Sequence, residues 1–310
     1  MPTLSLQGSV CVPLFLFTFV LSQLITTPLF AQDLRNRTAD IFHMGRVIIS
    51  SESLPDPVYE AQKNKILISV LFIAKGSDTS FITSVGTGFV TESPGTIVTA
   101  RHLLDMSILD AEKYKADKLK SDPKFDYGYV FMGTIITDKE WLNFPLSLVA
   151  VGEKGTLRDI MALRVDTKTM ENAQMIGDSF FQNPLRLLMK TSKFADADIG
   201  EKVYISGYSP SVSEYLDKNN KLVPVYADFI DHTFIAETEA IITDMPINKT
   251  GIKVMYRLRD HAEPGFSGGK VLNAQGHVIG MTIASSISKN FIYVLSSKDI
   301  RDFLKENKLK

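Results

Sequence analysis

Cysteine is almost absent from this chain of 310 residues: Cys11 is the only one. It lies in an apolar N-terminal stretch, and no lipobox-like pattern precedes it. Beyond that stretch there is no disulfide to form, no thiol nucleophile and no Cys-based zinc site. Stability must come from a packed core. An excess of one charge is also missing. The formal net charge is −1, so the whole chain gives no reason to expect nucleic-acid binding. The local cluster KYKADKLK (113–120) reads as a solvated face. Repeats and low-complexity blocks are absent, and helical patterning is sparse. What remains, 45% hydrophobic and 22% charged residues, is the composition of an ordinary globular protein.

No charged residue occurs before Asp33. The run VCVPLFLFTFVLSQLITTPLFAQ carries a small residue, Ala31, near its end, and residues 1–31 read as a secretory signal peptide cleaved after Ala31. An uncleaved anchor is the rival, because the run approaches the roughly 20 residues that span a bilayer. Gln23 and Pro28 interrupt it and favour cleavage. The expectation is an exported chain, periplasmic or secreted, with no lasting membrane insertion.

Residues 32–64 read as an N-terminal segment in which Pro55 and Pro57 break regular structure. From Lys65 onward, short β-branched and aromatic runs alternate with turn signals. Examples are ILISVLFIA (66–74), SFITSVGTGFVT (80–91), TIVTA (96–100), KVYISGY (202–208) and HVIGMTIA (277–284). This is an all-β pattern, too long for one small barrel, and it predicts two barrels or two sandwiches. The segments are 65–182 and 183–296. The clearest helix is C-terminal, 297–310, with Ser296 as cap, Asp299 near its positive end and Ile300, Phe303 and Leu304 as one apolar stripe. MENAQMIGDSFFQ (170–182) reads as a short helix or a connection.

Few residues can carry chemistry. In EPGFSGGKVLN, Ser267 lies between Gly265 and Gly268–Gly269. Glycines there can point successive N–H groups into one hollow, the form of an oxyanion hole built from the Gly265 and Ser267 amides. A serine nucleophile also needs a base and a carboxylate to hold that base. Among five histidines, His102 stands out, just past the apolar strand TIVTA. Asp159 opens the apolar run DIMAL, where a carboxylate is drawn inward and needs a partner. Each signal alone is also compatible with ordinary turns and strand ends. Gly-x-Ser-x-Gly also occurs at the α/β-hydrolase elbow, but that fold needs the order serine, acid, histidine and alternating helices. Here the order is His102, Asp159, Ser267.

That order on an all-β chain resembles the trypsin-like (chymotrypsin-fold) serine proteases, in TARH at 99–102, DIMAL at 159–163 and GFSGG at 265–269. GTGFV (86–90) is similar to the strand before the family's histidine, and GEKVYISGYSP (200–210) to the strand that opens its second barrel. Lack of cysteines looks like the bacterial branches. The resemblance implies two six-stranded antiparallel Greek-key barrels with a C-terminal helix and the site in the cleft between them. It implies no metal and no organic cofactor, and a protein or peptide as substrate. It further implies Ser267 as nucleophile, His102 as base, Asp159 as its orienting carboxylate, and the amides of Gly265, Phe266 and Ser267 as the oxyanion hole. The first specificity pocket would lie near His261, Ala262, Thr282, Ile283 and Ala284. A catalytically silent binding protein on the same fold is the alternative. Three departures stand out. Lys270 replaces the usual proline, altering the loop leaving the site. Arg101 puts a fixed charge before the histidine, where it could bind an acidic substrate group. Room for inserted loops exists around 108–128 and in 216–232.

Overall fold

The computed structural model describes residues 54–74, 80–120, 122–123, 126–136, 141–153, 158–166, 190–216, 222–243, 254–260, 262, 264–286 and 290–309. The proposed signal peptide, the candidate helix at 170–182 and His261 lie outside the described residues. The first barrel is built from β1 (Lys65–Ala74), β2 (Ser80–Val90), β3 (Thr96–Thr99), β4 (Tyr127–Ile136), β5 (Trp141–Val151) and β6 (Met161–Val165). They close in the order β1-β2-β3-β6-β5-β4. The second is built from β7 (Lys202–Leu216), β8 (Leu222–Thr243), β9 (Val254–Arg259), β10 (Lys270–Leu272), β11 (Val278–Ser286) and β12 (Phe291–Ser296). They close as β10-β11-β12-β9-β8-β7. Every pairing in both barrels is antiparallel. The two six-stranded barrels and the C-terminal helix match the sequence-based expectation.

Burial explains why the strands read as apolar runs rather than clean alternations. In β3 all four residues are buried. Ile97 faces the interior of the first barrel, with Ile66, Ile68 and Leu163. Its neighbour Val98 faces a separate cluster between the barrels, with Phe89, Ala162, Met281 and Leu295. A strand covered on both faces has no polar side to show. Each fully buried Leu, Ile, Val or Phe contributes about 1.5–3 kcal/mol, so the interface between the barrels is as much a core as either interior.

Among the described residues three helices lie against the barrels: α1 (Asp56–Gln62), α2 (His102–Lys118) and α3 (Ser297–Glu306). The last is capped as expected. Ser296 accepts from the Asp299 amide at 3.1 Å, and Ile300, Phe303 and Leu304 are buried. The first two correct the reading above. Pro57 sits in the first turn of α1, where its missing N–H costs nothing, so it starts a helix rather than breaking one. The stretch after His102, including much of the presumed insertion at 108–128, is the helix α2. Its apolar residues point both ways: Leu103, Leu104 and Ala111 are buried while Met106 and Leu109 are exposed. No single stripe marks it as a helix. The described part of the presumed loop 216–232, Leu216 and 222–232, is strand. β7 and β8 pair as one long ribbon out to Leu216 opposite Leu222.

One side chain, Thr87, joins the barrels by directional hydrogen bonds. Thr87, fully buried in β2, donates its amide to the Ser267 carbonyl at 2.8 Å and its hydroxyl to the Gly265 carbonyl at 2.9 Å. The same hydroxyl accepts from the Tyr208 amide at 2.9 Å. Its own carbonyl accepts from the Thr99 hydroxyl at 2.7 Å. Thr87→Val keeps the shape but leaves Gly265 C=O and Tyr208 N–H unpaired. We expect a loss of about 2–5 kcal/mol in urea unfolding, with Thr87→Ser recovering much of it. An unchanged midpoint for the valine variant refutes the tie.

A pH-sensitive contact joins the first barrel to α2. Tyr127 donates to Glu112 at 2.5 Å, tying β4 to α2. Desolvation, and next its bond to the Glu112 carboxylate, push the phenol from 10.0 up to about 12. A raised value means the fold holds the proton more tightly than the unfolded chain does. The stabilisation is therefore complete below pH 10.0 and lost as pH rises toward about 12. In Tyr127→Phe this alkaline loss should shrink. Unfolding midpoints measured across that window compare the two proteins, and identical pH profiles contradict the assignment.

Candidate active site

The base candidate is fixed by its position in the chain. His102 is the first residue of α2, separated from the end of β3 by two residues, and its backbone N–H is one of the helix's unpaired initial donors. Asp159 satisfies it: one carboxylate oxygen accepts from the His102 amide at 2.7 Å. The other lies 2.5 Å from the ring Nδ1. A carboxylate at a helix N-terminus is favoured by the dipole as well. Because an ionised carboxylate only accepts, Nδ1 must carry the proton, which leaves Nε2 with its lone pair. One aspartate thus fixes both the orientation and the tautomer of the histidine. Both side chains keep partial access to solvent, 30% and 17% of their surface.

The aspartate is held in turn. It precedes β6 in a turn where the Gly152 amide donates to the Ile160 carbonyl at 2.8 Å. Arg101 reaches across to the same turn, donating to the Gly152 carbonyl at 3.2 Å and to the Glu153 carbonyl. Its guanidinium also pairs with Asp105 at 2.9 Å. The expected role of Arg101 as a substrate contact is therefore corrected: it is buried, neutralised by Asp105, and braces the His102–Asp159 pair from behind. On the other flank, Arg158 pairs with Glu306 of α3 at 2.5 Å and lies over the Phe303 ring.

Ser267 comes from the second barrel, on the loop before β10. Gly265 and Gly268 have φ of +96° and +83°, a region that glycine enters without strain. At Gly268 a Cβ would strike the Thr87 carbonyl at 2.0 Å and the Thr99 hydroxyl at 2.4 Å. The loop is therefore seated in the crook where β2 and β3 lead to His102. Gly86 makes the same point: a Cβ there would lie 2.5 Å from Leu103 and 2.9 Å from the Ser267 carbonyl. The chain thus brings Ser267 beside the start of α2. The serine-to-histidine hydrogen bond is not formed in this structure. Among the described residues the Ser267 hydroxyl has no partner.

The carbonyls of Gly265, Phe266 and Ser267 are engaged inward. Gly265 C=O accepts from Thr87, Phe266 C=O from the Gly269 amide at 2.7 Å, and Ser267 C=O from the Thr87 amide. In a trans peptide the N–H points opposite to the carbonyl it shares. The Ser267 N–H therefore points away from Gly269 and out of the loop. Among the described residues the Gly265 and Ser267 amides donate to nothing, so two N–H groups are available to an incoming oxygen. The Phe266 side chain is buried in the second barrel, edge-on to Phe234 at 5.4 Å. It anchors the loop and leaves no side chain at that position to face substrate.

Around the expected pocket the residues divide. The Ala262 amide donates to Ser285 Oγ at 3.0 Å, which joins the segment before the loop to β11. Thr282 exchanges both backbone hydrogen bonds with Gly268 and Gly269, each at 2.8 Å, and its side chain is buried. Ile283 packs in the cluster between the barrels, and Ala284 is exposed opposite Tyr293. Sequence reasoning missed Thr87. Its only signal was a hydroxyl residue between the glycines of GTGFV.

No curated protein matches the chain. Among solved structures, an inactive serine-to-alanine mutant of Rv3671c from M. tuberculosis H37Rv shares 15% identity at a TM-score of 0.49, covering 86% of this chain and 98% of that one. The active form of the Rv3671c protease shares 17% at 0.48, covering 84% and 88%. The model of the trypsin-like peptidase domain matches residues 86–281. That span begins in the GTGFV strand, contains His102, Asp159 and Ser267, and ends on β11. The chain belongs to the trypsin-like peptidase domain family and is a serine protease.

Proposed function

We propose that the protein is an exported endopeptidase that cleaves peptide bonds through an acyl-enzyme on Ser267. The observation that carries this is the double hold of Asp159 on His102, by backbone and by ring, which leaves Nε2 as the one ring nitrogen able to accept. In the first step Nε2 takes the proton of the Ser267 hydroxyl while Oγ bonds to the scissile carbonyl carbon. The developing oxyanion is held by the amides of the Gly265–Ser267 loop. A preorganised donor of this kind lowers the barrier by about 2.7–4 kcal/mol. The imidazolium, stabilised by Asp159, returns the proton to the leaving amine as the C–N bond breaks. Water then repeats the sequence, and Oγ leaves with its proton restored. Export is supported by the uncharged, apolar N-terminal stretch before Asp33.

A second reading is a silent binding protein on the same fold, favoured by the unformed bond between Ser267 and His102. In many proteases this contact tightens only when substrate arrives. A fluorophosphonate probe decides between the readings: wild type is expected to label and Ser267→Ala not to. Absence of labelling in a folded wild type sinks the enzyme. Asp159→Asn should keep the fold but lower kcat by about 10³- to 10⁴-fold, because the amide stabilises the wrong tautomer. Near-normal kcat in that variant removes Asp159 from the mechanism.

A further inference from the structure

We infer that α1 positions the nucleophile loop of the opposite barrel, acting through the buried ammonium of Lys270. The inference rests on the serine-protease reading above. Lys270 follows Gly269 directly and is 0% exposed. Its Nζ donates to the Ala61 carbonyl and to Asn64 Oδ1. Both acceptors lie at the carbonyl end of α1, where the helix dipole favours a cation. A second buried lysine secures the same helix. Lys65 Nζ donates to Gln62 Oε1 at 2.6 Å and to Ser206 Oγ at 3.1 Å. Ser206 is the cross-strand partner of Lys270, and a Cβ on Gly269 would lie 2.6 Å from its carbonyl. At its other end α1 sits on the turn after β10. A Cβ on Gly276 would meet the Pro57 carbonyl at 2.3 Å, and Val58 is buried with Leu272 and Val278. The helix therefore grips β10 at its first residue and at the turn that follows it.

An ammonium out of water needs its acceptors, and docked α1 with the turn that follows it supplies two of them. If α1 lifts away, water must reach Lys270, and that requires the start of β10 to open. Gly269 moves with it as the preceding residue, and its amide is what holds the Phe266 carbonyl. That bond sets the direction of the Ser267 N–H, which shares the Phe266–Ser267 peptide plane. Lys270 is too deeply placed to touch substrate, so it is a positioning residue. Displacing residues 54–64, by a partner or by cleavage, would lower turnover without touching the binding cleft.

Lys270→Met and Asn64→Leu in the full chain test this, with kcat and KM on a peptide that wild type cleaves and amide exchange across 264–269. We expect lower protection of that loop, unchanged protection of the first-barrel strands, and kcat down about tenfold or more at nearly constant KM. Lys270→Arg should recover part of it. A folded variant with wild-type kcat and loop protection overturns the inference. Should Lys270→Met not fold, Asn64→Leu decides by the same measurements, because it leaves the lysine in place. A wild type that turns over no peptide defeats the protease reading alone. The exchange comparison still decides the role of α1.

Discussion

The hydroxyl of Thr87 is the junction on which the site's geometry depends. It is a first-barrel group, yet it fixes a second-barrel peptide plane, Gly265–Phe266, and caps a second-barrel amide, Tyr208. With the backbone bond from Thr87 to Ser267, the serine loop is referenced to the strand that runs alongside β3, which leads to His102. Two barrels that met only through apolar packing could slide by fractions of an ångström at little cost. Directional bonds in a dry seam remove that freedom, because each one left unmade costs about 1–3 kcal/mol.

The chain has no disulfide available to its barrels, and buried cations do part of that work. Arg101, Lys65 and Lys270 are all buried. Each spans segments far apart in sequence: α2 to the turn before β6, α1 to β7, and β10 to α1. Such groups stabilise only while every partner is in place. They therefore define one arrangement sharply instead of adding general strength.

Much of the fold was legible in the sequence because two-sided burial writes itself as β-branched runs. The histidine, aspartate and serine were legible because each stands at the edge of such a run. What escaped was structure without a periodic signature. The helix after His102 has apolar residues on exposed and buried faces alike. The strand β8 contains Pro224, inside the stretch 216–232 that reads as a loop. Pro57 reads as a breaker but initiates a helix. Arg101 reads as a cleft charge and Lys270 as a change in a loop, but long charged side chains follow their acceptors, and here those acceptors lie inside.

On the proposed chemistry, the division of the site between barrels also sets an order in time. The histidine and aspartate are in place once the first barrel closes with β6. The serine loop gains its shape only when Thr282 on β11 is there to meet Gly268 and Gly269. A chain emerging N-terminus first is thus harmless to itself through most of its synthesis. It becomes a hydrolase only after the last strands have sealed, when its own backbone is already tied into sheets and hard to cut.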